Sequence, residues 1–215
     1  MQVTTGMESN TTSPPLADGF LVQDDPRGRL LLAMAQSIVD KGYSRTVVAD
    51  VVRIARVSRR TFYENFADRE DCFLALCEAF TAQARAVIAD AADPALPWQD
   101  QARTAIAAHS RLLTAEPALT RSFFFEIYSI GERGMRTHRR VHRLFAEQLC
   151  ELAERVRRDD PSLNAVSFTT ASAIVAAIGE LAMLAIEHAG DDEYEAETER
   201  AAFDLIAAVL TAKPV

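Results

Sequence analysis

The stretch from Asn164 to Ala189, NAVSFTTASAIVAAIGELAMLAIEHA, narrows the possible folds more than any other part of the chain. It carries apolar or small residues around most of a helical circumference, with Ala173, Ala176, Ala177, Gly179 and Ala182 recurring. A helix that is apolar on nearly every side has to be covered on nearly every side. One chain of 215 residues covers one side of it. A second copy covering the other side is the expected solution, and a purely intrachain core is the alternative. The last periodic segment, about 194–212, adds Phe203, Ile206, Ala207 and Leu210 as a second stripe. Two helices from each of two copies then predict a four-helix interface through Ala173, Ala177, Leu181, Leu184, Phe203, Ala207 and Leu210.

The rest of the chain reads the same way. Apolar residues make up 49%, with 8 Gly and 8 Pro, a balance that favours helices over strands and turns. Apolar residues at helical spacing predict segments at about 27–41, 47–55, 58–66, 69–91, 98–115, 117–130, 135–158, 162–189 and 194–212. Gly42, DPALP at 93–97, GERG at 131–134 and DDPS at 159–162 punctuate them. The expectation is an all-α chain of about nine helices.

Several classes of function are excluded or disfavoured. Cys72, Cys77 and Cys150 form no C-x-x-C pair and suit no disulfide framework, so buried free thiols are expected. No uninterrupted apolar run approaches about 18 residues and no leader pattern opens the chain, so the expectation is a cytoplasmic protein without a membrane partner. His138 and His142 are four apart, but they sit in the basic string RTHRRVHR with no third ligand, so no metal and no cofactor are expected. No G-x-S-x-G, phosphate-binding loop or dinucleotide pattern occurs, so the chain reads as not an enzyme.

The formal charge is −8, which taken alone argues against nucleic acid. Its distribution reverses the argument. Residues 26–70 hold nine Lys/Arg against five Asp/Glu, a local charge of +4, which leaves −12 on the remainder. The expected organisation is an N-terminal arm at 1–25 that is rich in Ser, Thr and Pro and disordered, a basic unit at 26–70, and an acidic body at 71–215. The arm has no Lys or Arg, so it is not expected to enter a minor groove.

Within the basic unit, residues 55–66 read ARVSRRTFYENF. Ser58 is a candidate N-cap, and Val57 and Phe62 have the spacing of a hydrophobic staple. Phe62 and Phe66 then face inward, leaving Arg59, Arg60, Tyr63 and Asn65 largely outward. The string S-R-R-T-F-Y-x-N-F-x-D-R-E, preceded by RLLLAMAQSIVDKGY and TVVADVV, resembles the TetR family of transcriptional repressors over about residues 27–80. Beyond that range only the succession of helices is similar.

The resemblance implies a homodimer with an N-terminal three-helix, helix-turn-helix domain that docks on a palindromic double-stranded DNA operator. Its C-terminal helical domain would dimerise and bind a small effector that releases the DNA. Residue by residue, it implies that Arg59 and Arg60 read base edges or phosphates from the start of the recognition helix. Ser58, Thr61, Tyr63 and Asn65 would contact backbone or bases, and Arg69 would grip a phosphate. Val47 stands where the family often has a capping hydroxyl, so Thr46 is the candidate substitute, and Ala49 replaces a longer polar side chain. Arg56 stands where a turn glycine is common. The Val47 and Ala49 departures support the alternative reading, an all-α ligand-binding or protein-interaction module that no longer reads DNA, while Arg56 is open between a phosphate contact and an exposed turn residue. For the effector site the candidates are His109, Phe124, Glu126, Tyr128 and Met135, around the aromatic string RSFFFEIY, and core packing is the competing reading of those aromatics.

Overall fold

The computed structural model describes residues 25–188 and 190–212; of the expected N-terminal arm, only Asp25 falls within them. Among the described residues every regular element is helical. Asp25 caps α1 (Pro26–Lys41) by accepting from the Arg27 N–H at 3.3 Å, and Pro26 occupies the first turn, where its missing N–H is no loss. Gly42, at φ 81°, ends α1, and a 3-10 turn at Tyr43–Arg45 leads into α2 (Val48–Ala55). Arg56 then takes the left-handed conformation, φ 53°, and aims the chain into α3 (Arg59–Asn65). Asp68 accepts from the Asp71 N–H at 2.6 Å to start α4 (Arg69–Ala91).

The body follows with α5 (Trp98–Thr114), α6 (Pro117–Arg121), α7 (Ile127–Ser129), α8 (Glu132–Asp159), α9 (Phe168–Glu187) and α10 (Asp192–Thr211). Three boundaries differ from the sequence expectation. The single helix expected over 117–130 is interrupted by a π turn at Ser122–Glu126. A wider turn reduces the angle between successive side chains. Phe123 can therefore pack on Phe80 and Phe73, at 5.0 and 5.9 Å between ring centroids, while Phe124 lies against Gly179 of α9.

The long helix starts at Glu132 rather than Met135, because Gly131 at φ 72° turns the chain within one residue. Gly134 lets it pass the preceding helix: a Cβ there would stand 1.8 Å from the Ile127 carbonyl oxygen. α9 begins at Phe168 rather than near 162, capped by Ser167, whose Oγ accepts from the Thr170 N–H at 3.1 Å. The preceding residues serve α10 instead. The Asn164 N–H donates to the Leu210 carbonyl at 2.8 Å, and its Nδ2 donates to that of Ala212 at 2.6 Å, satisfying carbonyls that a helix end leaves open.

A continuous core joins the two parts of the chain. Leu30, Met34, Ile38, Val51 and Phe62 pack with Phe73 and Leu76 of α4 and with Leu119 and Ile127 of the following segment. A second, smaller core gathers Ala153, Val156, Leu163 and Leu210, with Trp98 against it. Two helices, α4 and α9, are long and apolar enough by length and composition to cross a membrane, although both are interrupted by polar or charged residues. In α4 that surface is inner core, including Cys72, Phe73, Leu76 and Phe80. α9 is different: only 28% of its apolar window is buried within the chain. Cys72 and Cys77 are buried free thiols, and burial raises both well above the ordinary thiol range.

Candidate nucleic-acid interface and the cavity behind it

The outward face of α3 is set by its cap and by one side chain. The Ser58 Oγ accepts from the Thr61 N–H at 3.0 Å and lies 2.9 Å from the Thr61 hydroxyl. Phe62 is fully buried, which fixes the roll of the helix. Arg59, Arg60 and Tyr63 are left exposed at its start, Tyr63 to 58%. The Arg60 Nε donates to Glu64 Oε1 at 2.9 Å, whereas Arg59 makes no ion pair among the described residues. Asn65 folds back, its Nδ2 donating to the Thr61 carbonyl at 2.8 Å. An exposed arginine pair at a capped helix start adds side-chain charge to the N–H groups that already favour phosphate.

Two of the expected contact residues are occupied elsewhere. Thr46 is fully buried; its hydroxyl donates to the Gly42 carbonyl and lies 3.0 Å from the Ser37 hydroxyl. It therefore does not stand in for the missing hydroxyl at Val47, which is 50% exposed and caps α2 through its backbone alone. Half of a capping box remains: Asp50 Oδ2 accepts from the Val47 N–H at 3.0 Å and also pairs with Lys41. Arg69 donates from Nη1 to the carbonyls of Thr46, at 3.0 Å, and Tyr43, and its guanidinium lies 4.4 Å over the Tyr43 ring. It fastens the start of α4 to the loop before α2. Ala49, Arg53 and Arg56 are exposed.

Behind this unit lies a cavity of about 490 Å³, walled by α4, α5, α8 and α9 and closed on one side by the π turn. The size falls within the range of pockets for small organic ligands. Its walls are mainly aliphatic and aromatic. It brings together three of the five expected effector residues, His109, Phe124 and Tyr128. Glu126 and Met135 are not among the lining residues and drop out of the site. Burial pushes the His109 imidazole down to about 4, so the ring is neutral near pH 7. Burial, with His142 beside it, also lowers His138, whose Nε2 lies 3.1 Å from the Tyr128 hydroxyl. Sequence reasoning missed Gln101, Gln148 and Arg155, which also line the cavity. Gln148 and Arg155 are seven apart on α8, a spacing that puts them on one helical face, and this was the available signal.

The cavity and the exposed arginines share a connection. Phe123 and Ile127 line the cavity and also belong to the core in which Phe62 is packed. Arg133, at the start of α8, reaches across to the N-terminus of α4, with Nη1 donating to Asp68 Oδ2 at 2.8 Å and Nη2 lying 3.5 Å from Asp71 Oδ1.

Of the residues expected at an interface between copies, Ala173 is exposed and Ala177, Leu181, Leu184 and Ala207 are half-buried. Phe203 and Leu210 face into the chain: Phe203 stacks on Trp98 at 6.1 Å under Arg103, and Leu210 belongs to the smaller core.

The family model described as "Bacterial regulatory proteins, tetR family" matches residues 30–76. No curated protein sequence matches the chain. Among solved structures, the transcriptional regulator FadR from Bacillus subtilis, in complex with stearoyl-CoA, superposes with a TM-score of 0.69 at 14% identity, covering 86% of this chain and 98% of that one. A TetR-family transcriptional regulator from Pectobacterium atrosepticum gives 0.67 at 20% identity, covering 90% and 97%. The fatty acid degradation regulator FadR from Bacillus halodurans gives 0.66 at 16% identity, covering 86% and 96%. At these identities the likeness is one of fold.

Proposed function

We propose that this chain, whose residues 30–76 match the model of the tetR family of bacterial regulatory proteins, is a dimeric, ligand-responsive transcriptional repressor of the cytoplasm, released from a palindromic operator by a mostly apolar effector. The observation that carries the reading is the shared segment: Phe123 and Ile127 are at once cavity wall and part of the core around the recognition helix. A molecule that fits the cavity better in one arrangement of that segment shifts the population of recognition-helix spacings. The complex of Bacillus subtilis FadR with stearoyl-CoA supports an effector that carries a long apolar chain in this fold.

In this reading residues 26–70 dock on DNA and residues 71–215 bind effector and partner. Arg59 and Arg60 make the base or phosphate contacts, supported by Ser58, Thr61, Tyr63 and Asn65. Arg69 acts by holding the loop before α2. The second copy covers α9 through Ala173, Ala177, Leu181 and Leu184, with Ala207 of α10. The low burial of α9 within one chain supports this, because apolar helices are rarely left open to water.

A second reading, a ligand-binding or interaction module without DNA specificity, is favoured by the burial of Thr46 and by the Arg60–Glu64 pair. Binding of the full chain to DNA flanking its own coding region, measured against salt, separates the two. The repressor binds one site specifically with a steep salt slope. Arg59→Ala with Arg60→Ala abolishes that footprint while the dimer persists; an unchanged footprint in the double variant overturns the site assignment.

A further inference from the structure

The cavity has one charged end. Arg155 of α8 donates from Nη2 to the Ala92 carbonyl at 2.8 Å and to Gln101 Oε1 at 2.9 Å. Both partners are neutral. Its Nε is buried with no partner, and no carboxylate lies within ion-pair distance among the described residues. On the same face Gln148 donates from Nε2 to the Arg85 carbonyl at 2.8 Å, which leaves its Oε1 buried and unpartnered. Arg155 is half-buried and held by neutral dipoles alone, and two orphaned buried polar atoms on one face are uncommon. Both residues line the cavity.

The remaining lining carries little competing charge. The one carboxylate along it, Glu180, is exposed, and its chain neighbour Gly179 lies against Phe124, away from Arg155. His109 and His138 are kept toward the neutral form by burial.

The cavity is also long for its volume. It follows α4 from Cys77 to Ala92, about 22 Å at the helical rise.

We propose that the cavity takes an elongated apolar anion, with its carboxylate on Arg155 and its tail running along α4 towards Phe123 and Ile127. The proposal rests on the effector reading of the same cavity and names its ligand class. A carboxylate accepts from the guanidinium and also supplies the opposite charge, an ion pair that a hydroxyl does not make.

The test titrates the full-length dimer with hexadecanoate and with hexadecanol, following binding by calorimetry and DNA occupancy in the same samples. Hexadecanoate is expected to bind at least about tenfold more tightly than the alcohol, the scale of one charge-assisted contact. Arg155→Met is expected to remove that preference by weakening the acid alone, and Arg155→Lys to retain part of it. Equal affinities in the unsubstituted protein, binding of neither probe, or a preference that survives in Arg155→Met overturns the proposal. If Arg155→Met does not fold, the acid–alcohol comparison and Arg155→Lys decide. DNA occupancy separates this from the effector reading. Release by both probes equally removes the Arg155 site and leaves that reading standing, whereas acid preference without release does the reverse.

Discussion

Arg133 donates to Asp68 at 2.8 Å, and Asp68 is the residue that caps α4 immediately after the recognition helix. The bond joins the start of a cavity-lining helix to the DNA-binding unit. Arg133→Ala is expected to reduce the effect of hexadecanoate on DNA affinity several-fold while leaving its affinity for the DNA-free dimer nearly unchanged, as expected for loss of a coupling contact. The hydrogen bond from Arg133 also holds the Asp68 carboxyl below its ordinary value of 3.8. Its contribution to stability is complete above that value and is lost as pH falls through the lower folded value. Both groups are partly exposed, so the expected change in the acid end of a melting profile is small.

Arg56 occupies a left-handed conformation at φ 53°. Arg56→Gly is expected to stabilise the chain by about 1 kcal/mol, because glycine enters that region without the Cβ penalty. The same variant is expected to lower the salt slope of DNA binding by about one, the mark of a lost phosphate contact. Urea unfolding and salt-dependent binding check the two outcomes separately.

Gly134 passes so close to Ile127 that an added Cβ would meet its carbonyl oxygen at 1.8 Å. Gly134→Ala is expected to cost about 1–3 kcal/mol by overpacking and to push the start of α8 away from α7. The urea midpoint should fall with an unchanged slope.

His109 titrates at about 4 in the folded chain because burial opposes its charged form. Above its ordinary value of 6.5 both folded and unfolded forms are neutral and it has no effect. Between 6.5 and about 4 only the unfolded chain takes the proton, so stability declines as pH falls. The full loss approaches about 3 kcal/mol at the lower limit. His109→Phe is expected to flatten the melting temperature over that window.

Glu64 holds the Arg60 guanidinium at 2.9 Å on the exposed face of α3. Glu64→Gln removes a competing carboxylate and a negative charge beside the expected phosphate path. Specific DNA affinity should rise several-fold at low salt, with the gain shrinking as salt is added.

The features legible in the sequence are those set by neighbours along the chain. Ser58 and Phe62 announce the cap and roll of α3, and the apolar period of the next segment gives α4 its observed bounds. The π turn was not legible, since three successive phenylalanines have no period that distinguishes an α turn from a wider one. Thr46 and Arg69 resemble surface contacts in a linear reading, but their partners, Ser37 and the carbonyls of Tyr43 and Thr46, are supplied by the folded loop. Arg155 and Gln148 look solvated on a charged helix, and only the approach of Ala92, Gln101 and Arg85 turns them inward.

The π turn at Ser122–Glu126 carries nearly one residue more than an α turn would, with Phe125 left 59% exposed on its outer side. Losing a single codon there would restore an unbroken helix with its flanks nearly in their present register, because the wider turn already absorbs the extra residue, and would change which phenylalanine of Phe123–Phe125 meets the cavity. The caps of α4 and α9 and the glycine crossing at α8 are specified elsewhere in the chain and would be untouched. An insertion or deletion at this one position is thus a short evolutionary step between cavity shapes, taken without rebuilding the scaffold that carries the DNA-binding unit.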